Sequence, residues 1–76
     1  MRAKPTYRWQ RLRAGKHSMT AWIGDTQLTY KAVRDETGWV LTRYVAGAGE
    51  TVSWDPTSTL RAAKELAAED LGRGML

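Results

Sequence analysis

Apolar and polar residues alternate with a period of two along most of the first two-thirds of the chain, and turn residues interrupt the alternation at short intervals. Successive side chains of a strand point to opposite faces of the sheet, so this alternation is typical of strands with one buried face. The segment 39–46 shows it most clearly, with Trp39, Leu41 and Val45 set against Val40, Thr42 and Tyr44. The pattern therefore predicts a sheet protein with one apolar face.

The turn signals divide this region into a meander of three to five strands. Strands are predicted over Thr6–Leu12, His17–Ile23, Gln27–Val33, Trp39–Ala46 and Thr51–Trp54. The connections are rich in glycine and polar residues, namely Ala14–Lys16, Gly24–Asp25, Arg34–Gly38 and Gly47–Glu50. Short connections of this composition join antiparallel neighbours, so each strand should pair with the next one along the chain.

One helix should follow the sheet, because Pro56 restricts Asp55 to extended geometry and cannot continue a strand interior. Ser58 or Thr59 is the expected N-cap of a helix over about 60–71, and Gly72 is the expected left-handed C-cap. Its apolar stripe is Leu60, Ala63, Leu66, Ala67 and Leu71, while Arg61, Lys64, Glu65 and Glu69 should face away. The expected class is α+β, an antiparallel β-meander with one C-terminal α-helix packed on one face.

The composition limits the chain to one small domain. Its 76 residues fit a single domain over 1–76, with 1–5 and 73–76 expected to be frayed ends. The absence of cysteine excludes disulfides and thiolate metal sites and favours a reducing compartment. No run approaches the roughly 18 apolar residues of a membrane span, and Met1–Arg13 does not resemble a signal peptide. We therefore expect a cytoplasmic protein without a membrane partner.

Basic residues are concentrated at the N-terminus. The first sixteen residues contain six bases and no acid, whereas the remaining sixty contain six bases and eight acids. If Tyr7 and Trp9 face the core, Arg8 and Gln10 project outward, and Arg and Gln side chains can read base edges. The candidate nucleic-acid-binding residues are Arg2, Lys4, Arg8, Gln10, Arg11, Arg13 and Lys16. The alternative is a solvated edge strand whose charges discourage edge-to-edge pairing.

Trp22 has an unusual position for a tryptophan. It shares its strand face with Ser18 and Thr20, whereas Met19, Ala21 and Ile23 lie on the other. If exposed, Trp22 would mark a contact surface for nucleic acid or for a protein. The sequence therefore favours a DNA- or RNA-binding module. The alternative is an adaptor or inhibitor that binds a host protein through Trp22 or an open sheet edge, and a homodimer is compatible with both.

Nothing in the sequence indicates catalysis, a metal or a cofactor. His17 is the only histidine and is expected to be a surface residue at the start of a strand. Each acid before the helix falls at a predicted turn, where solvation explains it; these are Asp25, Asp35, Glu36, Glu50 and Asp55. The glycines of Gly47–Gly49 lack the lysine and helix of a phosphate-binding loop. We therefore expect no enzymatic activity and no catalytic or metal-binding residue.

Three segments of the C-terminal half form a recognisable series, namely Gly38–Leu41, Trp54–Asp55 and Thr59–Lys64. In this series the chain resembles small orphan proteins of actinobacteria and their phages. In those proteins a Gly-Trp strand precedes an aromatic-Asp pair, a threonine cap and a helix, whereas this chain inserts Pro56–Ser58 before the cap. The resemblance implies a phage or actinobacterial origin and a sheet-plus-helix fold, and it implies no particular activity.

A second resemblance concerns DNA binding. Tyr7–Trp9, the turn Gly15–Lys16 and the later alanine-rich helix are similar in order to the three-stranded DNA-binding domain of tyrosine integrases and AP2-type factors. Those domains contact DNA with basic and aromatic residues of the sheet. The resemblance implies DNA binding through the N-terminal strands, although the extra strands predicted here depart from the family pattern.

Overall fold

The computed structural model describes residues 8–47, 49 and 51–73 and shows a five-stranded antiparallel sheet with one C-terminal helix. The elements are β1 (Trp9–Arg13), β2 (Lys16–Ile23), β3 (Thr26–Asp35), β4 (Gly38–Val45), β5 (Thr51–Ser53) and α1 (Leu60–Gly72). Neighbours in the sheet are neighbours in sequence, in the order β1-β2-β3-β4-β5. The predicted α+β class and meander are therefore confirmed, at the upper end of the predicted strand number.

The core lies between the sheet and α1, on the face that the alternation predicts. The fully buried apolar residues are Met19, Ala21, Leu28, Tyr30, Ala32, Leu41, Ala63 and Ala67. Six of them come from β2, β3 and β4, and two small ones come from the helix. Alanine at both buried helix positions keeps the helix close to the sheet, so larger side chains can pack around its rim. Trp9, Trp39 and Trp54 pack against this core and are only partly buried.

The connection between β3 and β4 is tighter than the sequence predicts. Both strands extend into the predicted loop, which leaves only Glu36 and Thr37 between them. The Asp35 carboxylate stabilises this turn, because it accepts hydrogen bonds from the backbone N–H and the hydroxyl of Thr37. These hydrogen bonds lower the pKa of Asp35, since they favour the charged carboxylate.

Gly38 allows the segment after β5 to pass close to the start of β4. Trp39 donates its N–H to the Thr57 carbonyl at 2.8 Å, and Thr57 donates its N–H to the Trp39 carbonyl at 2.9 Å. A Cβ atom at Gly38 would overlap the carbonyl oxygen of Thr57, and the φ angle of 127° is rarely adopted by other residues. This contact fixes the path of the chain from the sheet to the helix.

The helix starts as predicted and ends differently. Thr59 is the N-cap, with its hydroxyl oxygen accepting the Ala62 N–H at 3.1 Å. The expected left-handed cap at Gly72 is wrong, because Gly72 lies inside the helix and Arg73 is the C-cap with a right-handed φ of −79°. The Arg73 N–H donates to the carbonyl of Glu69 at 3.1 Å, so the last turn is closed without a residue of positive φ.

Several sequence predictions lie outside the described residues. These are the proposed roles of Arg2, Lys4 and Tyr7, the fraying of 1–5 and 74–76, and the conformation at Ala48 and Glu50. Arg73, which was predicted to fray, lies within the described part and forms the C-cap. The predicted first strand, Thr6–Leu12, is described from Trp9 to Arg13.

Candidate functional site

The helix covers one face of the sheet, and the other face is the candidate functional surface, here called the open face. Residues directly opposite each other on antiparallel strands share a face. Met19 lies opposite Tyr30 beneath the helix, so the flanking pairs Ser18–Lys31 and Thr20–Thr29 lie on the open face. The pairing then assigns the remaining strand residues to one face or the other.

Basic side chains occupy one end of the open face. Two rows of paired residues cross the sheet there, Arg13–Lys16–Val33–Val40 and Gln10–Ser18–Lys31–Thr42–Ser53. They contribute three cations, from Arg13, Lys16 and Lys31. Arg8 directly precedes β1 and is exposed. The structure therefore brings Gln10, Arg13 and Lys16 of the predicted site together and adds Lys31, which the sequence analysis did not select.

Aromatic side chains occupy the other end of the open face. The two rows there are Thr20–Thr29–Tyr44–Thr51 and Trp22–Gln27. Trp22 is 64% exposed, which answers the question that the sequence left open. Tyr44 is exposed as well, and the Lys31 ammonium lies 5.2 Å from the centre of its ring. This cation–π contact connects the basic end to the aromatic end.

The open face has almost no negative charge. Asp35 is the only acidic residue in the described strands, and its carboxylate is engaged by Thr37 in the β3–β4 turn. The described part of the chain contains two ion pairs, Arg43–Asp70 and Arg73–Glu69. Neither pair involves a base of the open face, so the positive charge there is not neutralised by a neighbouring carboxylate.

The predicted basic strand is divided between the two faces of the sheet. The register of β1 shifts between Arg11 and Arg13, so Arg11 lies opposite His17 and Arg13 lies opposite Lys16. Because His17 and Lys16 are adjacent in β2, their partners face opposite ways. Of the predicted binding residues in β1, Gln10 and Arg13 therefore lie on the open face, and Arg11 lies on the helix side.

His17 is not the surface residue that the sequence predicts. It is partly buried on the helix side, and its ring meets Trp39 edge-on at a centroid distance of 5.6 Å. Desolvation lowers the pKa of His17, and the positive charges of Lys64 and Arg11 lower it further. Lys64 was expected to face away from the sheet, but its ammonium lies 5.8 Å from the centre of the Trp9 ring. These contacts explain His17 as a packing residue.

A charged cluster joins the helix to the sheet, and the sequence analysis missed it. Asp70 accepts hydrogen bonds from the Tyr30 hydroxyl at 2.6 Å and from the Arg43 guanidinium at 2.7 Å. The two side chains of the ion pair are each only 17% exposed. Burial raises the pKa of Tyr30, and the hydrogen bond to Asp70 raises it further. In the sequence, the signal for this cluster was Arg43, a charged residue at an inward position between Leu41 and Val45.

No group of three His, Cys, Asp or Glu residues lies close enough in 8–47, 49 and 51–73 to hold a metal ion. A groove of about 550 Å³ runs between the β3–β4 turn and the start of α1, lined in part by Glu36, Thr37 and Ser58. It is open to solvent, and His17 does not line it. The open face remains the surface with the most distinctive chemistry.

The fold and this surface define an open-faced α+β domain, a five-stranded meander with a helix on one side and a basic and aromatic face on the other. Comparisons of the chain with protein-family models, with curated proteins and with solved structures find no match. No helix in the described part of the chain has the length and apolar character to span a membrane.

Proposed function

We propose that this chain binds nucleic acid through the open face of its sheet, with Arg13, Lys16 and Lys31 contacting phosphates. The observation that supports this most strongly is the set of three cations on a face where the one strand carboxylate is engaged in a turn. Such a surface attracts polyanions, because its three cations outnumber the single strand carboxylate and none of them is in an ion pair within the described part of the chain. Gln10, which lies in the same row as Lys31, is placed to contact base edges.

The geometry refines the N-terminal set that the sequence suggests. Gln10, Arg13 and Lys16 belong to the proposed surface, and Arg11 does not, because it lies on the helix side. Lys31 is added to the proposed surface. It lies on β3, two strands away from β1, in the same row as Gln10. Binding of DNA and binding of RNA are both consistent with phosphate contacts, because such contacts carry no base information.

The first test is a titration of labelled single-stranded and duplex DNA at about 50 and 200 mM salt, followed by fluorescence anisotropy. Three phosphate contacts predict a loss of affinity of about 20-fold for a single strand and about 40-fold for a duplex over this range. The variant Arg13→Gln/Lys16→Gln replaces two of the three cations with uncharged polar side chains and keeps a long side chain at both positions. We expect it to bind more weakly at 50 mM salt and to lose most of the salt dependence.

A matched control removes two cations elsewhere. Arg61→Gln/Arg73→Gln gives the same net charge as the test variant, and both arginines are exposed on or beside the helix. We expect it to keep the affinity and the salt slope of the native chain. If both double variants weaken binding equally, net charge alone explains it and the proposed surface is wrong. If the native chain binds neither DNA at 50 mM salt, the proposed function is wrong.

A protein partner is the second candidate, and the exposure of Trp22 favours it. A tryptophan that is 64% exposed is typical of a binding hot spot as well as of a stacking platform. The edge strand β1 is less suited to strand addition, because its register shift and its arginines are features that protect sheet edges. A pull-down that survives nuclease treatment and is abolished by Trp22→Ala would support this candidate.

A further inference from the structure

We infer that the open face selects single-stranded nucleic acid, whose unpaired bases stack on Trp22 and Tyr44 while its phosphates reach Lys31, Lys16 and Arg13. This inference rests on the proposed function and specifies its ligand. The observation behind it is the division of one sheet face into an aromatic end and a basic end. A base offers a flat π-surface and its phosphate offers charge, so one strand can satisfy both ends together.

Trp22 is available for stacking because the fold does not use it. Its neighbours along the open face of β2 are Thr20 and, across the strand pair, Gln27, and neither covers the indole. The three other tryptophans all pack against the core. Stacking of an unpaired base on an exposed aromatic ring contributes about 1–3 kcal/mol and tolerates any base. Trp22 therefore provides affinity without sequence preference.

Tyr44 adds a second platform beside a cation. Its ring is 39% exposed, and the Lys31 ammonium lies 5.2 Å from the ring centre. The ammonium lies over the ring, so a base that stacks on this face of Tyr44 would take its place and leave Lys31 to contact the phosphate of that base. The pair therefore joins the two kinds of contact at a single nucleotide.

The spacing suits a short segment of a single strand. Tyr44 lies two strands across and two residues along the sheet from Trp22, which places their Cα atoms about 12 Å apart. That distance is more than three times the rise of about 3.4 Å between stacked bases, so the two rings would hold different nucleotides. From Trp22 to Lys16 the face extends six residues along β2, or about 20 Å, which limits it to a short segment of a single strand.

A duplex fits the same surface poorly. Its base faces are stacked within the helix, so Trp22 and Tyr44 would have no partner. Its charge density is about one phosphate per 1.7 Å of axis on two backbones. The open face offers three described cations, all at one end. Apart from Gln27 and the two aromatic residues, the remaining rows present short Thr side chains, such as Thr20 and Thr29, which do not reach into a groove.

The test compares a labelled dT12 single strand with a 12-base-pair duplex at about 50 mM salt, using the full chain. We expect the single strand to bind at least tenfold more tightly. Trp22→Ala should weaken dT12 binding by about 5- to 150-fold, which corresponds to the loss of one stacked base. Tyr44→Ala should weaken it by a similar factor, and neither variant should change the salt slope, because no phosphate contact is removed.

Conservative variants separate stacking from folding. Trp22→Phe and Tyr44→Phe keep an aromatic ring at each position and should retain most of the affinity for dT12. The exposure of both residues means that the alanine variants should fold, and far-UV circular dichroism checks this directly. If the alanine and phenylalanine variants lose the same affinity, the side chains do not act by stacking and the inference is wrong.

The outcomes separate the inference from the proposed function. Preference for dT12 together with the alanine losses supports both. Equal or tighter binding of the duplex, or dT12 binding that Trp22→Ala leaves unchanged, overturns the inference alone, provided that Arg13→Gln/Lys16→Gln still weakens binding. Absence of binding to both DNAs overturns the proposed function and the inference with it.

Discussion

The two faces of the same sheet differ in how their residues are used. On the helix side, Met19, Tyr30 and Leu41 are buried in close packing against Ala63 and Ala67. On the open face, the residues between them in sequence are hydroxyls, bases and exposed aromatics. The buried core and the proposed binding surface therefore use alternate positions of the same strands. One surface can change without disturbing the other, because their side chains do not touch.

Charged side chains on the two faces also differ in their exposure and in their ion pairing. Arg43 projects to the helix side, where it is 17% exposed and paired with Asp70. Removing a charged group from water is costly, so an inward arginine requires a partner of opposite charge. Lys16 and Arg13 on the open face remain in contact with water and have no ion-pair partner in the described part of the chain. The paired Arg43 therefore supports the fold, and the unpaired Arg13 and Lys16 are available to the proposed ligand.

The largest expected difference between the faces concerns truncation of a buried residue. Leu41→Ala should lower the free energy of unfolding by about 2–5 kcal/mol, because it leaves a cavity beneath the helix. Thr20→Ala, an exposed position on the open face, should lower it by less than about 1 kcal/mol. Urea unfolding followed by circular dichroism measures both. Equal losses would mean that the open face is packed against something, contrary to the structure.

The next effect concerns the paired charge of the helix side. Asp70→Asn should lower the free energy of unfolding by about 2 kcal/mol, because Arg43 then lacks an anionic partner in a mostly buried site. The neighbouring Glu69 provides the control, since its ion pair with Arg73 is solvent-exposed. Glu69→Gln should change the free energy by less than about 0.5 kcal/mol. Indistinguishable losses in urea unfolding would show that burial does not distinguish these two pairs.

The smallest effect appears only at alkaline pH. Burial and the hydrogen bond to Asp70 raise the pKa of Tyr30 above its ordinary value of about 10. Above that pH the unfolded chain loses the phenolic proton while the folded chain keeps it, so the free energy of unfolding falls by about 1.4 kcal/mol per pH unit. This contribution is fully present below pH 10 and is lost as the pH rises towards the folded pKa.

Urea unfolding between pH 9 and 11 measures this slope. Tyr30→Phe should remove this contribution to the slope, although it also lowers stability at neutral pH by removing a hydrogen bond. Tyr44→Phe removes a phenol from the open face and serves as the matched control, with the slope of the native chain. The interpretation fails if Tyr30→Phe and the native chain lose stability in parallel above pH 10.

Features that depend on neighbouring residues in sequence could be predicted well. The alternation placed Met19, Ala21 and Ile23 on one face of β2 and Ser18, Thr20 and Trp22 on the other. The structure confirms this division. Thr59 as a helix cap follows from the same local chemistry. Gly72 was assigned wrongly, because the choice between one more helical residue and a left-handed cap depends on small local energies that the sequence pattern does not resolve.

The candidate site was only partly predictable. The charge of the N-terminal segment indicated a basic surface, and Gln10, Arg13 and Lys16 lie on it. Arg11 follows the regular alternation and lies on the helix side with Trp9, whereas a register shift after Arg11 brings Arg13 to the open face, and no residue type signals the shift. Lys31 was missed because it belongs to the site only through pairing of β2 with β3.

The sequence by itself determined the class of fold, the strand order, the alternation of faces along β2, β3 and β4 and the excess of positive charge. These properties depend on periodicity and composition, which are local or additive. The tertiary structure decided which cations share a face with Trp22 and Tyr44, and it brought Asp70 to Arg43 across 27 positions of the chain. Such contacts depend on strand register and helix docking, where a shift of one residue exchanges the two faces, so no local pattern can specify them.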